Sequence, residues 1–275
     1  MCWLYFLSVT ALIYAGTLAS STIKYHVKYI SFSLYCIFLA CVTSLFCFIN
    51  PRSSYNLVIV QKALKIFNFE WLFGVNITIK NGENIKNCKK PFVVVSNHQS
   101  AIDALIMIKS SPNGTAPLAK EILFYVPIFG QVCWLCGTIF INRKQGKVAI
   151  DIMRKVGQEM KKKLTSLWIF SEGTRHQLDE VMPFKKGAFH LAIQGEIPIV
   201  PVAISNYRNV IDTKNKLFDG GSIRVYCLPP ITTVGLSSND VDSLMEKVHK
   251  AISNTFNQDQ REHLELYSHL MPVKK

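Results

Sequence analysis

Two uncharged stretches at the start of the chain constrain it more than any other feature. Residues 1–23 and residues 29–51 contain no Asp, Glu, Lys or Arg. Each is 23 residues long, about 35 Å as an α-helix, against a bilayer hydrocarbon core of roughly 30 Å. Lys24, His26 and Lys28 lie in the connector between them. The pattern predicts two hydrophobic membrane helices over residues 1–50. As two spans or as a shallow hairpin in one leaflet, they return the chain to its starting side. A cleaved leader fits the first stretch poorly, because no basic segment precedes it and its apolar run is long.

The remainder, residues 51–275, is long enough to bury one sizeable core. It carries nearly all of the excess positive charge: the chain is +13 overall, and only Lys24 and Lys28 of that excess fall within the first 50 residues. Such a balance favours an anionic partner, whether nucleic acid, an anionic membrane surface or a phosphorylated substrate. With 49% hydrophobic and 18% charged residues, the composition excludes a disordered or collagen-like chain. Of the eight cysteines, Cys2, Cys36, Cys41 and Cys47 lie in the hydrophobic stretches. The pair Cys133-x-x-Cys136 has no second pair at zinc spacing, so the cysteines read as small buried hydrophobes and no metal site is expected.

Residues 51–275 alternate between strand and helix patterns. Pro91–Ser96 is a β-branched run read as a buried strand, followed by a loop at Asn97–Ser100 and a helix over Ala101–Lys109. Ala116–Ala119, Thr138–Ile141, Leu167–Phe170, Ile197–Ile204 and Ile223–Leu228 read as further strands. Pro198 and Pro201 suggest that the Ile197–Ile204 strand is an edge or carries a bulge. Val148, Ile152, Val156, Met160 and Leu164 repeat every four residues and predict a helix over residues 146–164. A last helix is expected over Asn239–Phe256, with Asp240 and Asp242 in its first turn. The alternation argues an α/β fold with a mixed, largely parallel sheet and flanking helices, preceded by the two membrane helices. A third uncharged window, residues 122–142, contains Pro127, Gly130 and Gly137. It is read as a hydrophobic surface or acyl channel against the bilayer rather than as a third span.

Chemistry is expected where strands end, since ligands of open α/β sheets gather at the strand carboxyl ends. His98 and Asp103 would not share a helix face, but a loop histidine and a carboxylate in the first helical turn can meet. Asp103 would then fix the imidazole tautomer and leave the other ring nitrogen free to take a proton. Taken alone, the pair is as compatible with a structural hydrogen bond. Glu172-Gly173-Thr174-Arg175 follows a strand: the glycine permits a tight turn, and the arginine can grip a phosphate with two parallel bonds. Lys120 follows the 116–119 segment, and Arg143 and Lys144 follow Thr138–Ile141. Residues 143–163 hold eight basic and two acidic side chains, a face suited either to anionic headgroups or simply to solvent.

Taken together, these segments resemble the glycerolipid acyltransferase family. Asn97-His98-Gln99-Ser100-Ala101-Ile102-Asp103 looks like its first motif and Gly137-Thr138-Ile139-Phe140-Ile141-Asn142-Arg143 like its second. Phe170-Ser171-Glu172-Gly173-Thr174-Arg175 resembles the third and Ile197-Pro198-Ile199-Val200-Pro201-Val202 the fourth, in the family's order and spacing. Met182–Phe189 strengthens the likeness to the animal 1-acyl-sn-glycerol-3-phosphate acyltransferases. The resemblance implies transfer of a fatty acyl group from acyl-CoA to the sn-2 hydroxyl of lysophosphatidic acid, giving phosphatidic acid and CoA. His98 would be the general base, oriented by Asp103, with backbone amides of the histidine turn stabilising the oxyanion. Glu172, Gly173, Thr174, Arg175 and Lys120 would hold the phosphate, with Arg143 and Lys144 as CoA or phosphate candidates. Pro198 and Ile199 would shape an acyl channel. Partners are acyl-CoA as co-substrate, lysophosphatidic acid and the bilayer; no cofactor and no nucleic acid are expected.

Ser171 stands where the family usually has Pro, and Asn142 where Asp is common. Neither removes a proposed proton carrier or phosphate ligand. Ser171 would loosen the turn that aims Arg175, so Ser171→Pro is expected to lower the substrate constant. Glycerol-3-phosphate or another lysophospholipid remains an alternative acceptor, and a non-enzymatic lipid-binding role a further alternative. The resemblance and the cytosolic supply of acyl-CoA place the protein in the endoplasmic reticulum membrane, with the domain facing the cytosol.

Overall fold

The computed structural model describes residues 20–142 and 146–270, together with Gly16 and Thr17, without the side chains of 146–151 and 266–270. The first hydrophobic helix expected from the sequence therefore lies largely outside the described residues. The second stretch lies in α1 (Ser21–Cys47), which starts earlier than expected: Lys24, His26 and Lys28 are in its first turns and not in a connector, and Ser20 caps it, its Oγ accepting the Ile23 N–H at 3.4 Å. Among the described residues it is the one helix long and apolar enough to cross a membrane.

Beyond Lys28 α1 carries no charge, and its two faces have different neighbours. Tyr25, Phe32, Tyr35, Leu39, Ala40, Thr43 and Cys47, at helical spacing, are buried against the α/β domain. Ile30, Leu34, Ile37, Phe38, Leu45 and Phe46 are exposed. The buried face meets α2 (Leu57–Ile66) and α3 (Phe69–Phe73). Phe32 and Tyr35 pack on Phe69 and Phe73 with ring centroids 5.7–6.0 Å apart. Gly74, at φ 68°, ends α3 in the left-handed region that a side chain would oppose.

A seven-stranded sheet organises the rest. Its strands in chain order are β1 (Val75–Lys80), β2 (Val93–Ser96), β3 (Thr115–Lys120), β4 (Ile139–Ile141), β5 (Ser166–Phe170), β6 (Ile199–Ile204) and β9 (Gly221–Cys227). β7 (Ile211–Asp212) and β8 (Leu217–Phe218) form a separate two-stranded hairpin. The spatial order is β1-β9-β6-β2-β5-β3-β4, and every pair is parallel except β6 with β9. The mixed, largely parallel sheet expected from the alternation is thus present. β2 and β6 are buried along their whole length, as parallel strands covered on both faces must be.

The pleat divides the core in two. Val94, Val200, Val202 and Ile204 face α1 and α5 (Asp103–Ser110). Val93, Val95, Ile199 and Ala203 face α7 (Gly146–Lys163), α8 (Gly187–Gln194) and α9 (Val241–Leu270). Between α3 and β2 lies the short helix α4 (Glu83–Lys86).

Two expectations need correction. β6 is central, not an edge: its ladder to β9 begins only at Val202, and Pro201 offers its carbonyl to the Leu228 N–H at 2.9 Å. Ile199 exchanges hydrogen bonds with Ile231 at 2.7 and 2.9 Å, so the loop after β9 covers the stretch where the proline lacks a donor. The uncharged window 122–142 is, as expected, not one long helix: it is broken into a 3₁₀ turn at Glu121–Tyr125, α6 (Phe129–Leu135) and β4. Finally, α9 runs on to Leu270, beyond the expected end at Phe256. It is preceded by a 3₁₀ turn capped reciprocally by Ser237 and Asp240.

Candidate active site

β2, β5 and β3 are adjacent and parallel, so their carboxyl ends share one edge of the sheet. His98 follows β2, Lys120 ends β3, and Glu172–Arg175 follow β5. Residues separated by up to 77 positions are brought together there by topology alone.

Asp103 opens α5, and its carboxylate is fully buried. Its Oδ2 lies 2.7 Å from His98 Nδ1 and accepts the N–H groups of Gln99 and Ser100 at 2.5 and 2.9 Å. Oδ1 accepts the hydroxyl of Tyr207. These contacts commit Nδ1 of His98 to the carboxylate and leave Nε2 to act on a substrate. The ring lies flat on Phe170, centroids 4.1 Å apart and planes at 17°. The five-residue spacing thus forms a loop-to-helix pair, as the sequence suggested.

The turn carrying His98 is pinned by side chains that imitate backbone. Asn97 pairs with Ile204 through both ends of its amide, Nδ2 to the carbonyl at 2.9 Å and Oδ1 from the N–H at 2.8 Å. Gln99 Nε2 donates to Ser205 O at 2.8 Å. The Glu172 carboxylate accepts the N–H of His98 at 2.9 Å. Burial, with the nearby charge of Asp103, pushes the Glu172 carboxyl up to about 8 against the hydrogen bonds it accepts from the backbone. All three amides of residues 98–100 therefore serve side-chain carboxyl groups.

A cavity of about 700 Å³ opens beside His98. Lys120, Thr174 and Arg175 are among its polar lining. Its apolar walls come from α1 (Phe32, Cys36, Ala40), α5 (Leu105, Ile108) and the broken window (Leu123, Phe129, Val132). That size suits a ligand with a long apolar part and a small polar end. Thr174 Oγ1 lies 2.6 Å from His176 Nε2, and the His176 N–H donates to the His98 carbonyl at 2.9 Å, joining the two turns.

The sequence candidates divide accordingly. His98, Lys120, Gly173, Thr174 and Arg175 share the cavity, and Asp103 stands behind the histidine. Glu172 faces the His98 backbone and is not among the cavity-lining residues. Pro198 and Ile199 do not line the cavity either: Ile199 is packed on the opposite face of the sheet, against the α7–α9 core. Arg143 and Lys144 lie outside the described residues. At Ser171 the N–H donates to Ser96 O at 3.2 Å and the carbonyl accepts from Lys185 at 2.7 Å. Tyr207, Asn97 and Phe170 were not singled out from the sequence as site residues. Asn97 and Phe170 open the first and third quoted motifs, whereas no local pattern announces Tyr207.

Comparison with known proteins places this arrangement. The sequence model of a family described as Acyltransferase matches residues 76–205, which hold the histidine pair and the Glu-Gly-Thr-Arg turn. The chain is 35% identical over 237 residues to human 1-acyl-sn-glycerol-3-phosphate acyltransferase alpha, covering 86% of this chain and 83% of that protein. The chain belongs to the 1-acyl-sn-glycerol-3-phosphate acyltransferase family. The human beta form is 33% identical, covering 86% and 85% of the two chains. The Saccharomyces cerevisiae 1-acyl-sn-glycerol-3-phosphate acyltransferase is 39% identical over 67% of this chain and 61% of its own. The fold is that of the 1-acyl-sn-glycerophosphate acyltransferase PlsC from Thermotoga maritima, with TM-score 0.65 at 23% identity, over 86% of this chain and 94% of the other.

Proposed function

We propose that the protein transfers an acyl group from acyl-CoA to the sn-2 hydroxyl of lysophosphatidic acid, giving phosphatidic acid and CoA. The observation that carries this reading is the convergence, in one largely apolar cavity, of a carboxylate-oriented histidine with Lys120, Thr174 and Arg175. The names of the relatives supply the acceptor.

His98 Nε2 accepts the sn-2 proton as the hydroxyl oxygen attacks the thioester carbonyl. The tetrahedral intermediate collapses, the carbon–sulfur bond breaks, and the proton on His98 passes to the departing thiolate, giving CoA with a free thiol. Asp103 holds the tautomer and supports the imidazolium. Arg175, Lys120 and Thr174 face the acceptor phosphate. The cavity walls of α1, α5 and residues 123–132 take an acyl chain.

The exposed apolar face of α1, with Ile122, Tyr125 and Ile128 of the broken window, seats the protein in a membrane. The supply of acyl-CoA favours the endoplasmic reticulum with the catalytic domain in the cytosol. Modification of the native sequon at Asn76 or Asn113 would oppose that topology.

The acceptor is tested with membranes containing the wild-type protein and labelled acyl-CoA, offered lysophosphatidic acid, glycerol-3-phosphate or lysophosphatidylcholine. Phosphatidic acid from the first acceptor, at a rate well above the products of the other two, is the expected outcome. Preference for another acceptor would retain the mechanism and overturn the substrate.

A further inference from the structure

We propose that Tyr207 is a third, positioning member of the His98–Asp103 pair, holding the carboxylate so that it sets the orientation and basicity of His98. This inference rests on His98 being the general base.

Tyr207 lies beyond β6, outside the four segments that carried the family resemblance, and is fully buried. Its hydroxyl donates to Asp103 Oδ1 and lies 3.0 Å from Ser100 Oγ. The other carboxylate oxygen is crowded, with the imidazole and two backbone N–H groups. Among the hydrogen bonds described, Oδ1 has Tyr207 as its only donor. A buried carboxylate oxygen stripped of its donor bears a desolvation penalty and is free to turn. Asp103 has only the His98 contact and two neighbouring amides to resist that rotation.

The phenol suits the task. Burial and the Asp103 charge push its ionisation well above the usual tyrosine range, so it remains a donor wherever the enzyme works. Its backbone is anchored independently, the Tyr207 carbonyl accepting the N–H groups of Val210 and Ile211 at 2.8 and 3.0 Å. Loss of the hydroxyl alone therefore leaves the turn in place. The titratable and charged groups around His98 are Asp103 from α5, Glu172 behind its backbone, protonated below about 8, and Lys120 and Arg175 in the same cavity. Of these, Asp103 is the one hydrogen-bonded to the ring.

The sign of the effect follows. A donor on Oδ1 draws charge from the carboxylate. Without it, Asp103 is more basic and pairs more strongly with an imidazolium, so His98 keeps its proton to higher pH and the acid limb of kcat/KM moves up.

The full chain in lipid–detergent micelles would be assayed from pH 5 to 9 as wild type, as Tyr207→Phe, and with 3-fluorotyrosine at position 207. Phe keeps the ring; fluorination makes the phenol a stronger donor. Tyr207→Phe should lower kcat about tenfold, leave both KM values unchanged, and move the acid limb up by about half a pH unit or more. Fluorotyrosine should move it down. Limbs that coincide with wild type in both variants, or a Tyr207→Phe loss carried by KM, would overturn the proposal. If Tyr207→Phe does not fold, the fluorotyrosine shift decides. His98→Ala, run alongside, separates the two claims: full activity there overturns the base assignment and the proposal with it, whereas inactivity with unmoved limbs overturns Tyr207 alone.

Discussion

Glu172 sits behind the backbone of His98 with 5% of its surface exposed, and burial lifts its carboxyl to about 8. An ordinary glutamate in the unfolded chain titrates near about 4.3. Between those values the native state holds a proton that the unfolded chain has released, so stability falls as pH rises through that window. The cost is on the order of a few kcal/mol across it. In detergent, the melting temperature should therefore drop from pH 5 to pH 8, and Glu172→Gln, with no proton to release, should flatten that slope. An unchanged slope would mean that the carboxyl ionises in place without penalty. Glu172 also shows what sequence can and cannot give at this scale. Its membership of the Glu-Gly-Thr-Arg turn was legible, but a role as a phosphate ligand was inferred from its neighbours. Only the fold shows that it faces an amide 74 positions away. Tyr207 is the extreme case, since 104 residues separate it from the carboxylate it touches.

The turn after β5 and the wall made by α6 depend on backbone fit. Ser171 extends the β2–β5 ladder by one N–H, to Ser96. Ser171→Pro removes that donor, and about 1 kcal/mol of stability should be lost with no fall in the acceptor KM. A lowered KM would restore the idea of a loose turn. Gly130 opens α6 against the preceding 3₁₀ turn, and an added Cβ would stand 2.1 Å from the Phe124 carbonyl oxygen. Gly130→Ala must displace backbone at the cavity wall. It should destabilise the enzyme by more than the ~1 kcal/mol typical of a point substitution and reduce activity with long-chain acyl-CoA. A wild-type melting temperature would contradict that close approach. The strands β2, β5 and β6 and the helix at 146–163 were readable because buried β-branched runs and a four-residue repeat are local signals. β1 was missed although its signal is local: Val75-Asn76-Ile77-Thr78-Ile79-Lys80 alternates and is bordered by Gly74 and by Asn81-Gly82. The centrality of β6 could not be read, because which strand lies beside a proline is decided by topology.

The whole molecule joins a long apolar helix to the α/β domain through one core. Tyr25, Phe32, Tyr35 and Leu39 of α1 belong to the same buried cluster as Val94, Ile102 and Trp168. The helix therefore supports the domain with one face and leaves the other exposed, the face proposed above to meet lipid. Lysine at Leu34 and Leu45 together, both on the exposed face, should weaken membrane attachment by roughly 2.5–3.5 kcal/mol per site for a span and less for a shallow helix. Release by alkaline extraction, with the melting temperature kept, is the expected result. Retention would place attachment elsewhere. The broad architecture was visible in the charge-free stretches and the strand–helix alternation, but nothing in a hydrophobic window tells how much of it faces protein. The most direct test of the account compares wild type with His98→Ala, expressed to equal levels in membranes and supplied with labelled acyl-CoA and lysophosphatidic acid. Phosphatidic acid formation should fall by about 10²–10⁴-fold in the variant while the protein remains folded and membrane-bound. Phosphatidic acid made by both at the same rate would contradict the assignment of the reaction to this site.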